Sequence, residues 1–137
     1  MNQLRGRITA IETNGYLALV DVAVGADSFA AILMETPASA PYLAVGREVR
    51  VLFKETEVSL AKNLSGLLSL RNRLQGKVFD IRGGAILSEV MLDYQGQCIT
   101  SIITSRAVER LGLRAGDEVE ALIKANEVSL MEVDDAL

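Results

Sequence analysis

Asn2-Gln3-Leu4-Arg5-Gly6-Arg7-Ile8 and Asn72-Arg73-Leu74-Gln75-Gly76-Lys77-Val78 are one stretch of sequence written twice. A shift of 70 residues carries the first onto the second, and the same shift holds to the end of the chain without a gap. Gly46-Arg47-Glu48-Val49 falls on Gly116-Asp117-Glu118-Val119. Lys54-Glu55-Thr56-Glu57-Val58-Ser59-Leu60 falls on Lys124-Ala125-Asn126-Glu127-Val128-Ser129-Leu130. Three blocks at one offset establish an internal duplication, and a duplication decides the architecture before any single element does.

Within each copy the periodicity is that of strands. Leu4 to Glu12 alternates with period 2 and runs into Asn14-Gly15, a favoured two-residue hairpin turn. Tyr16 to Val24, Ser28 to Met34, Val49 to Phe53 and Glu57 to Ala61 read as further strands, with a helical turn expected over Thr36 to Leu43. In the second copy Ser105 to Leu111 has helical spacing, and Gly112 stands where a C-terminal cap belongs. Five short strands and one helical turn in about 65 residues is the arithmetic of a small OB-like barrel. The expectation is a mostly β chain of two tandem five-stranded OB-like β-barrels, each with one short helix. The first domain would cover residues 1–65 and the second 66–137, joined by the short linker Asn63 to Ser69. A barrel of that size buries only about 60% of its unfolded surface, so the two are expected to pack together.

Composition narrows the function. The 137 residues carry 14 Lys+Arg against 18 Asp+Glu, a net charge of −4, and no basic run. Nucleic-acid binding, which depends on displacing counterions from phosphates, is not expected. There is no histidine, and the one cysteine, Cys98, reads as a small buried hydrophobe in a strand. Acyl-transfer nucleophiles, zinc ligand sets and phosphate-binding glycine loops are missing, so an enzyme is not expected. The acidic residues at Glu132, Asp134 and Asp135 read as solvated surface. The start lacks an apolar signal segment and no run approaches a membrane span, so a cytoplasmic protein without membrane insertion is expected.

Against that background one stretch has chemistry to offer. Ser69-Leu70-Arg71-Asn72 sets a hydroxyl, a guanidinium and an amide at the start of a strand. Lys124-Ala125-Asn126 follows the apolar Ala121-Leu122-Ile123, and Thr100-Ser101 with Thr104-Ser105 precedes the helix. A tetrahedral dianion needs convergent N–H and O–H donors and a neutralising cation, but no general base. The same residues also suit plain structural work, since Arg and Lys beside strands reach to solvent and Ser or Thr near a helix caps it.

The stretch resembles the signature of the molbindin (Mop) or transport-associated OB family, Ser-Ala-Arg-Asn-x-Leu-x-Gly-x-Val. Ser69, Arg71, Asn72, Leu74, Gly76 and Val78 match it, with Leu70 in place of Ala. Thr100 to Gly116 and Ile123-Lys124-Ala125 extend the likeness over the whole second copy. The resemblance implies an OB-like barrel per repeat and binding of molybdate or tungstate as ligand, with no catalytic cofactor. It further implies a site shared between neighbouring chains, in which Ser69, Arg71 and Asn72 meet Thr104, Lys124 and Ala125. A homo-oligomer, dimer or trimer, follows from such a site. Weaker contributions are expected from Asn2, Lys54 and Ser101. The first copy lacks the Ser-x-Arg, has Met34 at the Thr104 position and Glu55 at the Ala125 position, and is expected to form at most a weakened half-site. A chain of two such repeats starting at Met1 reads as a free-standing molybdate store. The alternatives are the sensing domain of a molybdate-responsive transcription regulator and a regulatory interaction module of a molybdate transporter ATPase.

Overall fold

The structure, a computed structural model, describes residues 1–133; Asp134 and Asp135 of the acidic tail lie outside the described residues. Ten strands and one α-helix follow in chain order. The first repeat supplies β1 (Asn2–Asn14), β2 (Leu17–Val24), β3 (Asp27–Leu33), β4 (Glu48–Phe53) and β5 (Ser59–Ala61). The second supplies β6 (Asn72–Gly83), β7 (Leu87–Tyr94), β8 (Gln97–Thr104), α1 (Ser105–Leu111), β9 (Glu118–Ile123) and β10 (Ser129–Glu132). A 3-10 turn precedes each closing strand, at Glu55–Glu57 and Ala125–Glu127.

The long strands β1 and β6 organise the two sheets. Along β1 the residues Asn2, Leu4, Gly6 and Ile8 are buried while Gln3, Arg5 and Arg7 face out, the alternation that sends one face to a core. The first half of β1 pairs with β4 and the second half with β2. A bulge between Ile8 and Ala10 lies where the strand changes partners, and β6 repeats it between Val78 and Asp80. An extra residue at such a point bends the strand and raises its twist, which lets a five-stranded sheet curl.

The closing strands are exchanged. One sheet runs β10-β4-β1-β2-β3 and the other β5-β9-β6-β7-β8. β5 therefore completes the sheet of the second repeat, pairing Ser59 with Leu122 and Ala61 with Glu120. β10 completes that of the first, pairing Ser129 with Leu52 and Glu132 with Val49. Neither 1–65 nor 66–137 holds all five strands of a sheet, although the division between them falls in the irregular stretch between β5 and β6. One continuous hydrophobic cluster runs through both repeats, from Leu4, Val20 and Phe53 to Leu74, Leu92 and Ile123.

Local details follow their residues. The first hairpin loop is Gly15-Tyr16, one residue later than Asn14-Gly15, because Asn14 still pairs with Leu17 and Gly15 takes the positive φ of 62°. Thr36 to Leu43 makes two successive hydrogen-bonded turns, Ala40 N–H to Thr36 O at 2.8 Å and Leu43 N–H to Ala40 O at 3.0 Å, with Pro37 in the first and Pro41 in the second. Gly112 caps α1 at φ 59°, as its position implied. Cys98 lies in β8 but is exposed, contrary to the buried reading; its neighbour Ile99 takes the inward position.

Gly6 sits at a close approach within the first barrel. A Cβ there would stand 2.5 Å from Val22 Cγ1 and 2.8 Å from Ala23 O, whereas at Gly76 the nearest atom is Asp93 O at 3.3 Å. Gly6→Ala is expected to cost about 2 kcal/mol, as overpacking does, and Gly76→Ala under about 1 kcal/mol. Urea denaturation of the two variants checks the difference.

A second tie joins the repeats through hairpin loops. The buried Tyr94 hydroxyl donates to Asp27 Oδ2 at 2.6 Å. Burial, and then the Asp27 carboxylate, push the phenol pKa well above its ordinary value. The folded value lies above the unfolded one, so this contribution is complete below about pH 10 and fades as pH rises past it. Tyr94→Phe is expected to cost about 2 kcal/mol at neutral pH and to lose less stability than the parent as the pH rises above about 10. An equally steep alkaline loss in both proteins would assign it to other groups.

Candidate functional site

Strand pairing brings two of the expected segments together. β6 and β9 pair Asn72 with Ile123, so Arg71 and Lys124 stand just beyond the same end of one ladder. Both side chains are exposed, and among the described residues neither forms an ion pair. Like charges at facing positions of a ladder oppose each other, and an anion between them would remove the repulsion. Ser69 is exposed two residues before Arg71, and Ala125 opens the second 3-10 turn after Lys124.

Asn72 has a different occupation. It is 0% exposed, its Oδ1 accepts from the Ala30 N–H at 2.6 Å and its Nδ2 donates to the Ala30 carbonyl at 2.9 Å. Asn2 makes the equivalent pair with Thr100 across the other barrel, at 2.9 Å and 2.8 Å. The two asparagines are reciprocal clamps, each fixing the start of its own long strand to the third strand of the opposite repeat. Their carboxamides are committed, so neither side chain offers an anion a donor without giving up a buried bond. Ser101 is likewise buried and donates to Val58 O at 2.7 Å, a further tie between the repeats. The inward place of Asn2 and Asn72 in an otherwise apolar alternation was the sequence signal for such a role.

Thr104 lies elsewhere. It pairs with Leu87, next to the far end of β6 from Asn72, and its Oγ1 caps α1 by accepting from the Ala107 N–H at 3.1 Å. Among the described residues the hydroxyl proton has no acceptor. Ser105 beside it is fully engaged, donating to Gly84 O at 2.6 Å and meeting Ser88 Oγ at 2.8 Å. One chain thus sets Arg71 and Lys124 beyond one end of the β6–β9 ladder, with Ser69 two residues before Arg71 and Ala125 next to Lys124, and sets Thr104 near the other end of the sheet.

The first repeat offers less positive charge at the matching place. Lys54 is exposed, but Glu55 follows it and takes the Met1 ammonium at 2.7 Å, a bond that holds the Glu55 carboxyl below its ordinary range. A groove of about 200 Å3 between the two 3-10 turns is lined by Lys54 and Asn126 but also by Glu57 and Glu127. Two carboxylates make it a poor seat for a dianion. Among the described residues no cluster of His, Cys, Asp or Glu is arranged to hold a metal ion, and no helix is long and apolar enough to cross a membrane.

Two curled five-stranded sheets that exchange their closing strands define the chain as a tandem OB-like barrel protein. It belongs to the TOBE domain family, whose profile matches residues 1–60 and 68–130, one match per repeat. The molybdenum transport protein ModE of Azotobacter vinelandii is 33% identical over 131 residues, 94% of this chain and 48% of that protein. The molybdenum-pterin-binding protein MopA of Rhodobacter capsulatus is 36% identical over 133 residues, 94% of this chain and 50% of its own length. The chain spans about half the length of these curated relatives. Among solved structures, a molybdate-bound crystal form of the cytoplasmic molybdate-binding protein ModG superposes with a TM-score of 0.90. That protein is 39% identical, and the match covers 96% of each chain.

Proposed function

We propose that the chain binds molybdate, or tungstate, as an intracellular store that buffers the oxyanion, and that it catalyses no reaction. The observation that carries this reading is that Arg71 and Lys124, both exposed and without an ion pair among the described residues, stand just beyond one end of the β6–β9 ladder, with the Ser69 hydroxyl close by in sequence. The likeness to ModG over nearly the whole of both chains supports the choice of anion. Arg71 and Lys124 would offset the dianion's charge, while Ser69, the backbone about Asn72 and Ala125, and Thr104 would supply oriented donors. Because Thr104 stands apart from the others within one chain, a second copy would bring it, and the protein would work as a cytoplasmic homo-oligomer. Sulfate would be rejected by cavity size, since the same donors suit both anions.

The half-length match to longer relatives leaves one second reading, in which these repeats form the ligand-sensing part of a larger protein. Anion binding is common to both.

Titration calorimetry with molybdate, with sulfate as the control, tests the proposal. Saturable heat with molybdate and none with sulfate is the expected result, near one site per chain because the second repeat carries both Arg71 and Lys124, whereas Glu55 follows Lys54 in the first. Silence with both anions would remove the oxyanion function and leave an interaction module. Two equal sites per chain would overturn the assignment of the first repeat. Sedimentation showing a monomer of full affinity would remove the shared site.

A further inference from the structure

The two closing strands are nearly the same sequence, Glu57-Val58-Ser59-Leu60 and Glu127-Val128-Ser129-Leu130, and they enter their sheets in the same register. Backbone pairing and core packing therefore do little to say which strand closes which barrel. The residues that end these strands differ in sign. Lys62 stands where the other repeat has Glu132. Their partners differ in the opposite sense, Asp117 standing where the other repeat has Arg47, and Glu120 where it has Arg50.

In the exchanged arrangement both strand-end charges meet an opposite sign, while Glu120 is held by Arg73 at 2.8 Å. Lys62 Nζ meets Asp117 Oδ2 at 3.1 Å, and Arg47 meets Glu132 Oε1 at 3.4 Å. Lys62 also donates to the carbonyls of Leu111 and Gly112, at 3.2 Å and 3.3 Å, the negative end of α1. The Arg114 N–H and then Lys62 hold the Asp117 carboxyl below its ordinary range, so it is charged at neutral pH. The first repeat has no helix at the equivalent place, and so has no carbonyl end to repel Glu132.

Folding each closing strand back onto its own repeat, in the same register, reverses all of this. Lys62 would lie beside Arg47 and near Arg50. Glu132 would lie beside Asp117, near Glu120 and over the carbonyl end of α1. We propose that this charge reversal between the repeats is a strand-recognition code that directs β5 to the second barrel and β10 to the first. It acts against self-closure as much as in favour of exchange, since both repulsive pairs appear only in the wrong arrangement.

The test exchanges the two signs and reads the strand's position by crosslinking, in the full chain with Cys98→Ser. Ala61→Cys with Glu120→Cys reports the exchanged strand, because residues 61 and 120 are register partners. Ala61→Cys with Arg50→Cys reports self-closure, because Arg50 is the partner of Met131, the residue equivalent to Ala61. Disulfides are mapped by peptide mass after mild oxidation; a bond between chains across 61 and 120 obeys the same charges and counts with the exchanged form.

With the natural signs the 61–120 bond is expected to dominate. In Lys62→Glu/Glu132→Lys the ratio of 61–120 to 61–50 bonds is expected to fall about tenfold or more, the scale of two pairs turned from attractive to repulsive. Adding Asp117→Lys and Arg47→Glu restores all pairs and is expected to return the strand to the 61–120 bond. An unchanged ratio in the two-site variant would overturn the code. If that variant fails to fold, the four-site variant decides: folding with the 61–120 bond supports the code, and failure of both overturns it.

Discussion

Asn72→Ala is expected to lower the unfolding free energy by about 4 kcal/mol, one of the largest losses open to a single polar side chain in this protein. The carboxamide is fully buried and makes two bonds to one residue, accepting from the Ala30 N–H and donating to the Ala30 carbonyl. Removing it strands both backbone groups away from water, and each unsatisfied group costs about 1–3 kcal/mol. A small void at the junction of β3 and β6 adds to that. Asn72→Asp keeps the acceptor but sets a carboxylate against the Ala30 carbonyl. Its folded pKa would rise above the unfolded value, so this variant should regain stability as the pH falls through that raised value. Asn2→Ala is expected to cost less, about 2–3 kcal/mol, because Asn2 is 6% exposed and water can reach its partners. Urea unfolding without ligand measures all three. A loss below about 1 kcal/mol at Asn72 would mean that the clamp does not hold the repeats together.

The architecture was legible because two independent signals agreed. The shift of 70 residues announced a duplication, and alternation of the kind seen in Leu4, Gly6 and Ile8 announced strands with one buried face. The exchange of closing strands left no trace in either signal. β5 and β10 carry the same inward residues, so a hydrophobic pattern cannot tell a strand that stays from one that crosses. Beyond the change from Ala61 to Met131, the opposite charges of Lys62 and Glu132 distinguish them, and a charge is informative only once its facing partner is known. Cys98 shows the same limit at a single position: which face a residue takes depends on register, and one step separates it from the buried Ile99.

The candidate site was legible as a set of residue types rather than as a set of roles. Asn72 and Ser101 have the donors an anion needs, but donors in inward positions are consumed by the protein's own backbone. Arg71 and Lys124 stay available because they fall just past the ladder, and among the described residues neither forms an ion pair. Thr104 is the instructive case. Capping uses its oxygen as an acceptor and leaves its proton free, so the structural role and the binding role do not compete.

Arg71→Ala is expected to weaken molybdate binding about 100-fold, and Lys124→Ala about tenfold, with unfolding in the absence of ligand unchanged within about 0.5 kcal/mol. A hydrogen bond to a charged group contributes about 1.5–3 kcal/mol, which is roughly 10- to 150-fold in affinity. The guanidinium belongs at the upper end, because it gives two parallel N–H donors to adjacent oxygens, whereas an ammonium acts as a point charge. For that reason Arg71→Lys is expected to recover only part of the loss. Neither side chain has an ion-pair partner to abandon among the described residues, so the change should appear in binding and not in folding. Lys54→Ala is the internal control. It removes the equivalent cation of the first repeat, where Glu55 already stands beside the Met1 ammonium, and is expected to change affinity less than threefold. Calorimetry on the four variants separates the outcomes. Loss at Arg71 and Lys124 alone places the anion at the end of the second ladder. Equal loss at Lys54 would give the first repeat a full share of the site, and normal binding by the Arg71→Ala variant would move the anion away from this ladder altogether.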